Sequence, residues 1–170
     1  MARSRQYGFS LTELVIVVAV ILVVAAIAVP RLLHARMRAN QASATASLKA
    51  IQSAEAIYTS SYPAVGYSAS LMNLGRNGST CETVSSTNAC LIDDALSTGI
   101  KSGYIFDLTG DSFTPDQSYT VTAVPESVGS SGECSFSSDQ SGGIHAQANT
   151  GHTSFLQMGS GGGGGCDFGK

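Results

Sequence analysis

Charge is what this sequence has least of: 12% of its 170 residues are Asp, Glu, Lys or Arg, about half of the roughly 25% usual in soluble domains. Motifs of chemistry are missing too. No two of the four cysteines, Cys81, Cys90, Cys134 and Cys166, stand at C-x-x-C spacing, and His34, His145 and His152 fall at no zinc-ligand spacing. That argues against a zinc site and leaves structural disulfides, which place the cysteine-bearing part in an oxidising compartment. No G-x-S-x-G nucleophile motif occurs. Asp107, Asp111 and Asp116 lack the alternate-position spacing of an EF-hand loop and read as solvated turn carboxylates. No catalytic residue, metal or cofactor is expected, and an enzyme is not the expected class.

A further absence concerns processing. An ordinary secretory signal has a small-residue cleavage site after its apolar run, but Pro30-Arg31-Leu32-Leu33-His34 follows Val29 here. The small residue, Gly8, stands before the run instead, so cleavage there would keep the apolar segment. Residues 9–29 carry only Ser10, Thr12 and Glu13 as polar groups. As a helix they span about 30 Å, enough to cross a hydrocarbon core. Their Val and Ile content would suit a strand in water, but in lipid only a helix satisfies its backbone within one segment.

What charge there is divides sharply. Up to Ser60 the bases Arg3, Arg5, Arg31, Arg36, Arg38 and Lys49 face only Glu13 and Glu55; beyond it ten acids face Arg76, Lys101 and Lys170. The acidic head argues against nucleic-acid binding, which needs clustered Lys and Arg. Arginines on both sides of the span leave the positive-inside rule undecided, while the cysteines put the head on the oxidising side. Residues 31–58 lack Gly and Pro and are rich in Ala, so the helix is expected to continue, with Ala44, Leu48, Ile51 and Tyr58 forming one stripe. From 9 to 58 it would be about 75 Å long. No sustained a/d heptad supports a coiled coil.

Gly8-Phe9-Ser10-Leu11-Thr12-Glu13-Leu14, after a short basic leader and before an apolar helix, resembles the prepilin signature of type IV pilins and type II secretion pseudopilins. The likeness extends over about residues 5–63, with Pro30 where many pilins have a helix proline that permits a kink. Beyond that the head resembles the family in layout. The resemblance implies that a prepilin peptidase/methyltransferase cuts between Gly8 and Phe9 and N-methylates Phe9. It implies an inner-membrane anchor with the leader cytoplasmic and the head periplasmic, then an extracellular filament of this and other pilins built by the pilus assembly machinery. Many pilins have a glycine inside the apolar helix; none lies between Phe9 and Arg38 here, so melting of the helix on assembly is not implied.

The expected layout is a leader over 1–8, a long helix over 9–61, a disulfide-tied loop over 62–100, and a sheet with a C-terminal loop over 101–170. Strands are expected over 103–109 and 118–124, with a hairpin of 133–138 and 143–148 and a short final strand near 153–157. The fold class is α+β: a long helix packed on a three- to four-stranded antiparallel sheet. Local pairing, Cys81 with Cys90 and Cys134 with Cys166, is preferred among three connectivities. By loop entropy these bonds would contribute about 2.7 and ~3.7 kcal/mol. The second would tie down the five glycines of 161–165.

Tyr58, Tyr62 and Tyr67 read as packing between helix and loop. Glu13, an ionisable group inside an apolar membrane segment, reads as functional and partnered with Phe9 in assembly. The expected function is a structural subunit, major or minor, of a type IV pilus serving adhesion, twitching motility or DNA uptake. The alternatives are a type II secretion pseudopilin and, from another class, a tip-located minor pilin acting as an adhesin.

Overall fold

Helix α1, Leu11–Ser61, runs 51 residues in a computed structural model that describes residues 9–76, 81–111, 113, 115–149 and 166. The chain divides into two units, 1–36 and 37–170. In the first, α1 continues through Pro30, whose missing N–H removes one backbone donor. In the second, α1 buries Met37, Ala44, Ser47, Leu48, Ile51, Ala54, Glu55 and Tyr58. These recur at intervals of three, four and seven, the periodicity of a single helix face.

Two one-turn helices follow, α2 (Leu71–Leu74) and α3 (Asp94–Ser97). They lie where an irregular loop is expected. Each is nucleated by its cap: Ser70 accepts from the Asn73 N–H, and Asp93 from the Leu96 N–H at 2.9 Å.

The sheet is an antiparallel meander of five strands in chain order: β1 (Ile100–Lys101), β2 (Tyr104–Gly110), β3 (Tyr119–Pro125), β4 (Cys134–Asp139) and β5 (Ile144–Ala148). The fold is therefore α+β, with more strands than the three to four expected. The extra one is β1. It is only two residues long, too short to show periodicity, and pairs Ile100 with Ile105 and Lys101 with Tyr104. Its turn is Ser102-Gly103, with φ of 52° and 71°, the two positive values of a two-residue hairpin. The expected strand near 153–157 and the glycines of 161–165 lie outside the described residues.

Alternation decides which face of the sheet is covered. On β2, Tyr104, Phe106 and Leu108 are buried while Ile105, Asp107 and Thr109 are exposed. With Tyr119, Val121, Ala123 and Phe136 they join Leu48, Ile51 and Tyr58 of α1 in one core cluster. The Tyr104 hydroxyl donates to the Cys134 carbonyl at 2.8 Å, so its buried oxygen is partnered. A strap over residues 65–68 crosses to the β2–β3 loop: Tyr67 N–H donates to the Asp116 carbonyl at 3.0 Å and Asp116 N–H to Val65 at 2.8 Å. Gly66 has φ +84°, and a Cβ there would lie 2.1 Å from the Asp116 carbonyl oxygen.

This packing sets the stability expected of three variants. Ile51, wholly buried, should cost about 2–5 kcal/mol when cut to Ala, whereas exposed Lys49→Ala should stay within about 0.5 kcal/mol. Gly66→Ala should lower the melting temperature despite its small size, because the strap must move off Asp116. Thermal unfolding followed by circular dichroism of the oxidised protein checks all three.

Candidate assembly site

Among the described residues, the side chains at the apolar end of α1 are exposed. Leu14, Val15, Ile16, Val20, Ile21 and Leu22 are each more than half exposed, and between residues 9 and 36 Ala25 alone is partly covered. The segment's 18-residue window has a mean hydropathy of 3.0 and no residue buried. A surface this apolar and this continuous needs lipid or protein around it.

Phe9 precedes the first turn of α1 and is 77% exposed. The helix opens with the Leu14 N–H donating to the Ser10 carbonyl at 3.2 Å, while the Ser10 and Thr12 hydroxyls share a bond of 2.8 Å. Glu13 sits in that first turn and is exposed. There a carboxylate gains about 0.3–1 kcal/mol from the free N–H groups and the helix dipole. Gly8 lies outside the described residues.

The head's other candidates have structural partners. The Tyr58 and Tyr62 rings sit 5.0 Å apart, and Tyr58 donates its hydroxyl to the Ser86 carbonyl at 2.6 Å. Tyr67 packs on Tyr119, also at 5.0 Å, so these aromatics join helix, loop and sheet. Asp111 organises the β2–β3 loop by accepting from the N–H groups of Phe113, Gln117 and Ser118 and from the Ser118 hydroxyl. Asp107 is exposed on β2 and His145 on β5; His152 lies outside the described residues. Among the described residues no group of three or more His, Cys, Asp or Glu side chains is placed to hold a metal. Disulfides join Cys81 to Cys90 and Cys134 to Cys166. The first closes the loop beside α2, where Ala89, Cys90 and Leu91 donate backbone bonds to Asn73, Gly75 and Leu74.

One residue was not singled out by its sequence context. Glu55 is fully buried in the head. Its Oε2 accepts the Ser68 N–H at 2.9 Å, while Oε1 has no partner among the described residues. Burial first, and the Asp116 charge to a smaller degree, push its carboxyl up to about 7 against the opposing Ser68 bond. The signal was available: Glu55 stands seven after Leu48 and four after Ile51, on the apolar stripe itself.

Residues 3–29 match the family described as the prokaryotic N-terminal methylation motif. A stretch of 55 residues is 47% identical to the Type IV narrow pilus major component PilA5 of Thermus thermophilus, covering 32% of this chain and 47% of that protein. The likeness to a type IV pilin lies in the N-terminal part of the chain. The match spans about half the length of that relative, and no solved structure matches. Phe9 and Glu13 are the first and fifth residues after Gly8, and both stand at the exposed end of α1. Each disulfide of the head links residues 9 or 32 positions apart. Non-reducing peptide mapping should recover Cys81–Cys90 and Cys134–Cys166; a free thiol or crossed pairing at any of the four would overturn the assignment.

Proposed function

We propose that this protein is a structural subunit of a type IV pilus. The observation that carries this reading is the exposed apolar stem with Phe9 and Glu13 at its end, in the segment that matches the methylation motif. In this reading residues 1–8 are a cytoplasmic leader, cut after Gly8 by a membrane peptidase that also methylates Phe9. The stem then holds the subunit in the inner membrane with its head in the periplasm. Pro30 supplies a point where the helix kinks to fit its neighbours. A pilus is preferred to a secretion pseudopilin because of the relative named as a pilus component and the two disulfides of the head.

Assembly transfers the stem from lipid to a bundle of other stems, and charge sets the register. Cleavage creates an α-amino group on Phe9, with an ordinary pKa of about 7.7–8.0, and methylation leaves it a cation. Glu13 is the acid nearest that cation in the stem. A subunit can pair its own two charges, since they are four apart, or offer its amino terminus to Glu13 of a subunit already in place. The second pairing fixes one axial offset, because a misplaced subunit leaves a buried charge alone at about 3–5 kcal/mol.

The processing and assembly steps separate experimentally. Gly8→Val should leave uncut precursor in the membrane, seen by N-terminal sequencing or intact mass. Glu13→Ala should be inserted and cleaved normally but yield no filaments when expressed alone. Glu13→Asp should give a reduced yield. Normal filaments from Glu13→Ala, counted in sheared surface preparations, would leave Glu13 with its helix-dipole role only.

A further inference from the structure

We propose that Glu55 is a proton-operated latch: as the neutral acid it holds the strap of residues 65–68 against α1, and on ionising it releases that strap. The inference rests on the head alone and is independent of the filament reading. A carboxylate offers about four lone-pair sites for donors. Glu55, with no exposed surface, has one, the Ser68 N–H, and an orphan oxygen beside it.

The groups that face Glu55 do not compensate its charge. Its own helix contributes Tyr58, whose hydroxyl is committed to Ser86. Strand β3 contributes Tyr119, with Tyr67 of the strap packed on it. The β2–β3 loop contributes Asp116, another acid, which raises the Glu55 carboxyl further and is itself raised by burial and by Asp111. The ion pairs formed by Lys and Arg among the described residues are Arg76–Asp94 and Lys101–Asp93, and neither involves Glu55. An ionised Glu55 is therefore a buried anion without a counter-ion, a state proteins avoid by protonation or by opening to water.

Opening has an obvious place to occur. The strap's other ties include the Gly66–Asp116 bridge, the Tyr67 and Asp116 backbone bonds, the Val65 and Gly66 N–H groups donating to the Tyr62 carbonyl, the Tyr67–Tyr119 ring contact and the short-range bonds between Ser68 and Ser70. Releasing Ser68 from Glu55 frees the Ser68 end of the strap and lets water reach the carboxylate, while the turn at Tyr62 and the disulfide-tied part of the head need not unfold.

The sign follows from proton linkage. The ordinary carboxyl value is 4.5 and that of the latched state about 7. Between these values the closed state keeps a proton that the open state loses, so closure weakens as pH rises and levels off above about 7. Going from pH ~6 to pH ~8.5 should raise the open population about tenfold.

Hydrogen–deuterium exchange of the full chain in detergent micelles tests this. Exchange of a peptide spanning residues 62–71, corrected for intrinsic chemistry, is compared with a peptide from β3 at both pH values. Wild-type protection of the strap should fall about tenfold while β3 changes little, and Glu55→Gln should be protected equally at both. An unchanged wild-type strap, or the same fall in Glu55→Gln, would overturn the latch. Should Glu55→Gln fail to fold, infrared spectroscopy of the wild type decides. The carbonyl stretch of a buried neutral carboxylic acid should be present near pH ~6 and lost near pH ~8.5, and its absence at the lower pH would overturn the proposal.

Discussion

An α-helix keeps its backbone hydrogen bonds within one segment, and this constraint allows α1 to serve two surroundings with a single secondary structure. Through residues 11–36 all its side chains but Ala25 are exposed among the described residues, and through residues 37–61 one stripe is buried under a sheet. A strand could not have done this, because it would have left one row of N–H and C=O groups unpaired along the apolar stretch. The Val- and Ile-rich composition of that stretch therefore says little about backbone preference. It reports the solvent.

The head solves a different problem. With few charges and many Ser, Thr and Gly, it has a modest apolar core, centred on Leu48, Ile51, Tyr58, Phe106, Val121 and Phe136. Its long connection between α1 and the sheet is held by ties of several kinds. Two side-chain caps nucleate single helical turns, Cys81–Cys90 closes the loop between them, and backbone bonds lace residues 89–91 to α2. Asp111 gathers the β2–β3 loop, and the strap of residues 65–68 links that loop to α1 through Asp116 and Glu55. Asp93 and Asp111 hold their ties as carboxylates, whereas Glu55 is the tie proposed to close as the neutral acid. Burial in the same core that stabilises the head is what gives it that property.

The stem and its end were legible in the sequence because their signals are local. A 21-residue apolar segment, a glycine before it and a glutamate five residues after that glycine need no tertiary information to be noticed. The strands β2 to β5 were also legible, each within a residue of its expected start, from β-forming composition in β2 and β3, alternation in β3, and the Asp139-Gln-Ser-Gly142 turn between β4 and β5. Strand β1 was not. Two residues cannot alternate, and only the Ser102-Gly103 dipeptide hinted at a turn. The helical turns at 71–74 and 94–97 were hidden for the same reason, since four residues complete barely one period.

By itself, then, the sequence determined the helix, its apolar length, the charge division between stem and head, and the placement of Phe9 and Glu13 at one end. Those properties depend on composition and on spacing within a single element. Only the tertiary structure decided that Glu55 would be a buried acid while Glu13 stays exposed, although both are glutamates on the same helix. The difference lies in what covers each residue. For Glu55 the cover comes from Ser68, Asp116 and Tyr119, which arrive from 13, 61 and 64 residues further along the chain. The stripe of Leu48 and Ile51 marks the face on which Glu55 stands, but desolvation is a property of the surroundings, and only the strap and sheet that cover that face supply it.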